Sequence, residues 1–192
     1  MKKIYEFRRN SWNTNDFMYV YSPICKEYVE FIQEDECISN SFNSRINDYD
    51  YISMVTKEKY PKGTKISTRC SFDKYGAPLV VLTDSIDETD GKKIYNLHFE
   101  FVAYENGFNV WRIVPFPERR ERPINPTKIC RTLFKIKDDS SIDLEVEVKE
   151  KSFLVTVNGI GSEIWTDEIP ESFHVGITAC EGTNRFYSLT IE

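Results

Sequence analysis

The stretch IDLEVEVKEKSFLVTVNG, residues 142–159, decides the fold. Ile142, Leu144, Val146 and Val148 fall on one side of an extended chain, and Asp143, Glu145, Glu147 and Lys149 on the other, because strand side chains point alternately to opposite faces. Lys149, Glu150 and Lys151 form a turn, and a second strand runs into Val157, Asn158 and Gly159. The pattern predicts a hairpin with one buried and one solvated face.

The same period of two recurs outward from this hairpin. It predicts strands at 17–22, 27–33, 51–56, 64–72, 78–83, 94–104, 108–114, 131–136, 173–180 and 186–192. Helical periodicity is almost absent, although WTDEIPES (165–172) admits a single helical turn. A sheet of ten or more strands must curl or split to bury its apolar face, so the expectation is an all-β, two-sheet antiparallel β-sandwich. The 192 residues suit one domain spanning 1–192, and 13 Phe and 11 Tyr favour pleated sheets over helices.

Charge and motifs narrow the function classes. With 25 Lys and Arg against 31 Asp and Glu, the formal charge is -6, and a phosphate backbone would meet net repulsion, so no nucleic acid partner is expected. The basic cluster ERRERP (118–123) alternates in sign among Pro115, Pro117, Pro123 and Pro126 and reads as a solvated loop. Cys25, Cys37, Cys70, Cys130 and Cys180 are odd in number and widely spaced, which predicts free thiols and no metal. Asp84, Asp87 and Asp90 miss the spacing of a calcium loop, so no cofactor is expected there beyond a minor calcium alternative. No apolar run long enough for a signal peptide or a bilayer span occurs, which makes the expected location cytoplasmic, or extracellular if a leader has been removed. His98 and His174 accompany no nucleophile elbow, and no phosphate-cradling glycine loop is present.

The order of KYPKGTKISTRCSFDKYGAPLVVLTD, LHFEFVAYENGFNVWRI, LEVEVKEKSFLVTVNG and FHVGITACEGTNRFYSLTIE resembles the concanavalin A-like lectin/glucanase superfamily, including laminin-G-like domains. The resemblance implies a jelly-roll with the last strand beside an early one and the termini close. It does not imply one activity, because the superfamily holds lectins, carbohydrate-binding modules, hydrolases and adhesion domains. A glucanase of this kind would carry a Glu-x-Asp-x-x-Glu strand. The nearest string, Glu145-x-Glu147-x-x-Glu150, lacks the Asp and reads as a solvated face.

The remaining candidate is HFEFVAYENGFNVWRI (98–113). Burying Leu97, Phe99, Phe101 and Ala103 sends His98, Glu100, Val102 and Tyr104 to the other face, which is then polar and aromatic at once. Sugars require that mixture, since their C–H faces stack on rings while their hydroxyls need fixed donors and acceptors. On the next strand Asn109, Trp111 and Ile113 share one side, and Val110, Arg112 and Val114 the other. Trp111 is either a core ring or a stacking platform, and alternation alone does not decide. His98 and Glu100 are either a hydrogen-bonded pair on a solvated face or part of a ligand groove. Glu181 and Arg185 read as an ion pair fixing their loop, and Trp12 and Trp165 lie where they would rim a groove.

The leading reading is a lectin-like protein that binds carbohydrate through His98, Glu100, Tyr104, Asn109, Trp111 and Arg112. The alternatives are a glycoside hydrolase or lyase, with Glu100 as its first catalytic candidate, and a laminin-G-like protein-interaction domain.

Overall fold

A computed structural model describes residues 2–21, 29–41, 51–73, 75–116, 118, 123–137 and 140–192. In chain order these residues form β1 (Lys3–Glu6), β2 (Phe17–Val20), β3 (Ile32–Gln33), β4 (Ile38–Ser39), β5 (Tyr51–Pro61), β6 (Lys65–Asp73), β7 (Ala77–Thr83), β8 (Ile86–Thr89), β9 (Lys92–Tyr95), β10 (His98–Tyr104), β11 (Gly107–Pro115), β12 (Ile124–Leu133), β13 (Ile142–Val148), β14 (Ser152–Val157), β15 (Ile160–Trp165), β16 (Ser172–Cys180) and β17 (Thr183–Ile191). One sheet runs β15, β14, β13, β6, β17, β4, β3, with β1 also on β17. The facing sheet runs β12, β11, β10, β7, β16, β5, β2, and β8 and β9 form a separate hairpin.

The diagnostic hairpin forms as expected. Ile142, Leu144, Val146 and Val148 are buried, while Asp143 and Glu145 are exposed. The chain then turns again at Asn158 and Gly159, whose φ values of 50° and 78° lie in the left-handed region that Asn and Gly tolerate best, and continues into β15. β17 pairs with β1 through Lys3 and Ile191, and Lys2 Nζ lies 3.0 Å from Glu192 Oε2, so the two ends of the chain meet.

Between the sheets the core combines aliphatic side chains with clustered aromatic rings. Phe153 of β14 packs its ring 4.9 Å from Phe99 and 5.1 Å from Phe101, both on β10. All three are at most 1% exposed, and this interlock fixes the phase of β10. Gly176 of β16 sits at a bulge against β5, where a β-carbon would come within 2.3 Å of the Met54 carbonyl oxygen and 2.4 Å of Val55 Cγ1.

Several expected boundaries move. No helical turn occurs at 165–172; the chain after Trp165 is irregular and drops Ile169 into the core instead. The described helical turn is the 3-10 segment Thr14–Asp16, where Asn13 caps by accepting from the Asn15 amide at 3.1 Å. The strand expected at 131–136 is β12, which starts at Ile124 and runs through Pro126. An outermost strand tolerates proline because its outward N–H has no neighbour to meet. The strand expected at 94–104 breaks at Asn96 and Leu97 into β9 and β10, which belong to different sheets. Of 27–33 only Ile32–Gln33 is strand among the described residues.

Asp84, Asp87 and Asp90 lie along the β8–β9 hairpin, with Asp90 and Gly91 at its turn (φ 53° and 71°). Cys37, Cys70, Cys130 and Cys180 form no disulfide. Cys25 and residues 119–122 of the basic cluster lie outside the described residues. No described helix is long and apolar enough to cross a membrane.

Candidate functional site

Fixing Phe99 and Phe101 inward turns His98, Glu100, Val102 and Tyr104 onto the outer face of the seven-stranded sheet. The register of β10 with β11 sets Glu100 opposite Trp111, Val102 opposite Asn109 and His98 opposite Ile113. Over the neighbouring strands the β8–β9 hairpin covers this face, and Tyr95 and Ile86 join a second apolar cluster with Val20, Val55, Val81 and Val102. The uncovered half is a cavity of about 380 Å³.

Tyr51 and Tyr95 line the cavity on the covered side, Trp111, Ile124 and Pro126 on the side of β11 and β12, and Glu105, Tyr75 and Glu181 come from turns. Its polar floor is organised around Glu100. The Tyr51 hydroxyl donates to Glu100 Oε1, and His98 Nε2 lies 3.6 Å from the same oxygen, an ion-pair distance. His98 Nδ1 is 2.9 Å from the Asn96 carbonyl oxygen; because a carbonyl only accepts, Nδ1 carries a proton and the ring is held with Nε2 toward Glu100. The Tyr95 ring packs 4.7 Å from the His98 ring, and its hydroxyl shares a short hydrogen bond with Ser53 Oγ, itself 2.6 Å from Thr178 Oγ1. Burial and then the charge of Glu100 hold the Tyr51 phenol well above its ordinary range, and burial does the same for Tyr95.

Two features mark the wall of the cavity. Asn109 Oδ1 is buried with no hydrogen-bond partner, an arrangement that costs free energy unless a donor reaches it. Trp111 is half-buried at the cavity wall, with Lys128 Nζ 4.7 Å from its ring centre, and a register shift between β11 and β12 falls beside it, between Val110 and Trp111. The alternation question is thereby answered: Trp111 is on the cavity face and not in the core between the sheets.

The cavity brings together His98, Glu100, Tyr104, Asn109 and Trp111. His98 and Glu100 are only 5% and 7% exposed, which removes the solvated-pair reading. Arg112 is a correction. It lies opposite Phe99, on the other side of β11, and its Nε and Nη2 donate to the carboxylate of Glu168 in the loop after β15. Arg185 Nη1 lies 3.7 Å from Asp73 Oδ2, whereas Glu181 lines the cavity. Trp12 does not rim this cavity: it packs edge-on against Phe7 and Phe17 and donates to Gln33 Oε1 at 2.8 Å. Trp165 is 71% exposed on the far edge of the other sheet.

Sequence reading missed Tyr51, Tyr95 and Glu105, and set Glu181 aside as half of a loop ion pair. Alternation in YISMVT already puts Tyr51, Ser53 and Val55 on one face, but not which strand they face across the sheet. Among the described residues, no three His, Cys, Asp or Glu side chains converge as metal ligands.

No family model and no curated protein sequence matches the chain. Solved structures do. The carbohydrate-binding module CBM66 from Bacillus subtilis superposes with a TM-score of 0.62 at 8% identity, covering 89% of this chain and 91% of that one. A glycoside hydrolase family 16 endo-glucanase from Bacteroides ovatus gives 0.62 at 8%, covering 99% of both chains. The exoplasmic/lumenal domain of VIP36, in its Ca2+/Man3GlcNAc-bound form, gives 0.59 at 10%, covering 97% and 87%. At such identities the likeness speaks for the fold, and the chain has the concanavalin A-like jelly-roll fold.

Proposed function

We propose that the protein binds carbohydrate in the cavity between Tyr51 and Trp111, without turning it over. The observation that carries this reading is the composition of the cavity wall: the rings of Tyr51, Tyr95, Tyr104 and Trp111 stand beside Glu100, His98 and the unpartnered Asn109 Oδ1. Rings accept the C–H face of a pyranose, and fixed carboxylate and amide oxygens accept its hydroxyl protons. The fold is one on which a carbohydrate-binding module, a glucanase and a glycan-bound lumenal domain are also built, which raises the prior for a sugar.

Binding is favoured over hydrolysis because glycoside cleavage uses two carboxyl groups about 5 to 9 Å apart across the bond. Of the three carboxyls lining the cavity, Glu100 alone lies on a strand and one of its oxygens is engaged by Tyr51, while Glu105 and Glu181 come from turns, so strand register sets no facing pair. The test is a glycan array on the purified chain, followed by calorimetry of the hits with Trp111→Ala and Glu100→Gln. Weaker binding in both variants, with no reducing ends released by the wild type, supports a lectin-like site. Turnover that disappears in Glu100→Gln while binding persists replaces it with a hydrolase. Hits that ignore both substitutions put the sugar elsewhere on the molecule.

A further inference from the structure

The charges around the cavity narrow the sugar further. Besides His98, the acidic and basic side chains that line it are all carboxylates: Glu100 on the floor, and Glu105 and Glu181 toward the mouth. No Lys or Arg lines it. Two cations stand beside the lining, Lys128 over the Trp111 ring and Arg131 with its Nε 3.3 Å from the Tyr104 hydroxyl, and among the described residues neither forms an ion pair with Glu100. Glu100 is 7% exposed, and among the described residues its ion-pair contact is with His98 alone, at 3.6 Å. Tyr51 and His98 both address Oε1, which leaves Oε2 as the oxygen for a ligand. The tyrosine rings of the wall present negative π faces. A buried carboxylate and π faces favour a ligand that donates protons and carries positive charge, and the carboxylates repel an anionic one.

Resting on the carbohydrate reading above, we infer that the preferred ligand is an amino sugar with a free ammonium group, which pairs with Glu100 while the pyranose ring lies against the aromatic wall. Neutral sugars lose the charge-assisted hydrogen bond, an N-acetylated sugar loses the charge and adds bulk, and uronic or sulfated sugars meet Glu100, Glu105 and Glu181 as like charges.

The test uses calorimetry on the full chain at about pH 6, where an alkyl amine of this kind carries its proton. The probes are oligosaccharides of one length: fully deacetylated chitosan, the N-acetylated counterpart, a cello-oligosaccharide and an oligogalacturonate, with choline as a non-sugar cation. The deacetylated oligomer is expected to bind about tenfold or more tightly than the neutral ones, the span of one hydrogen bond to a charged group. The oligogalacturonate and choline are expected to bind most weakly. Glu100→Gln should reduce the preference for the amine to about twofold or less, with residual neutral-sugar binding retained. The double substitution Glu105→Gln and Glu181→Gln, at less buried positions, should narrow it even if Glu100→Gln proves too unstable to assay.

Equal or tighter binding of the N-acetylated, neutral or anionic oligomer overturns the inference, as does choline binding as tightly as the amino sugar. If a neutral glycan binds through Trp111 without preference for the amine, only this inference falls. If no sugar binds, the carbohydrate reading falls with it.

Discussion

The hydroxyl of Tyr51 donates to the carboxylate of Glu100 across two intervening strands, β16 and β7, and 49 residues of sequence. Neither side chain finds the other until the seven-stranded sheet is assembled, so the cavity floor is a product of the finished sheet and not of any one hairpin. Tyr51→Phe leaves Glu100 buried with His98 as its remaining partner. The expected cost is about 1 to 3 kcal/mol, as for a lost hydrogen bond to a charged acceptor. Urea denaturation of the two proteins measures it, and an unchanged midpoint would mean that the contact contributes nothing in solution.

Trp111 should report ligand directly. The chain has three tryptophans, and the other two are remote from the cavity, Trp12 against Phe7 and Phe17 and Trp165 exposed on the far sheet edge. Ligand should therefore shift the emission of the wild type but not of Trp111→Ala. The variant should bind about tenfold more weakly, because an aromatic contact contributes about 0.5 to 1.5 kcal/mol beyond its buried area. A ligand-induced shift that survives in Trp111→Ala would move the sugar away from this wall.

Phe101 tests the phase of β10. It is fully buried against Phe153, and Phe101→Ala should cost about 3 to 5 kcal/mol in chemical denaturation. A cost below about 1 kcal/mol, the range of surface substitutions, would mean that β10 is flipped and that His98 and Glu100 face the core.

That phase was legible because Phe99, Phe101 and Ala103 alternate with His98, Glu100 and Tyr104, and period two is a local property of the chain. So was the hairpin of β13 and β14. The site was legible only along those two strands: alternation brought His98, Glu100 and Tyr104 to one face and Asn109 and Trp111 to another, and pairing joined the faces. Arg112 was named for the site although alternation already put it on the side of Val110 and Val114, and in the fold that side hands it to Glu168. Tyr51, Tyr95 and Glu181 belong to segments brought in by sheet order and by a covering hairpin, neither of which is written in local periodicity. Proline misled at β12, because Pro126 reads as a loop residue until the strand is known to be the outermost one.

Gly176 lies on the outer face of the seven-stranded sheet, the face that carries the cavity, opposite Val55 and Val81. A methyl group there would press on the Met54 carbonyl oxygen at 2.3 Å and on Val55 and Val81, the apolar cluster beneath the β8–β9 hairpin. Backbone does not yield as a flexible side chain does, so Gly176→Ala should destabilise the protein by about 1 to 3 kcal/mol. Thermal unfolding checks this, and a melting temperature equal to or above that of the wild type would show that the bulge at His174 and Gly176 absorbs the methyl group.

The last expectation concerns alkaline pH. Burial holds the phenols of Tyr51, Tyr95 and Tyr5 above their ordinary range, and the negative charge of Glu100 adds to the effect at Tyr51 and Tyr95. In the unfolded chain these phenols lose their protons near about pH 10, whereas the folded protein keeps them protonated well beyond it. Above that point the unfolded state binds fewer protons than the folded one, so raising the pH draws the equilibrium toward unfolding. Below it both states are fully protonated at these positions and the term vanishes. The urea midpoint should therefore stay level from about pH 8 to 9 with respect to these groups and fall steadily above about pH 10, and Tyr51→Phe should make that fall shallower. Phenolate absorbance followed alongside should show a fraction of the 11 tyrosines ionising only as the fold is lost. Ionisation of every tyrosine in one reversible step with the fold intact would contradict the enclosure of the Tyr51 and Tyr95 phenols.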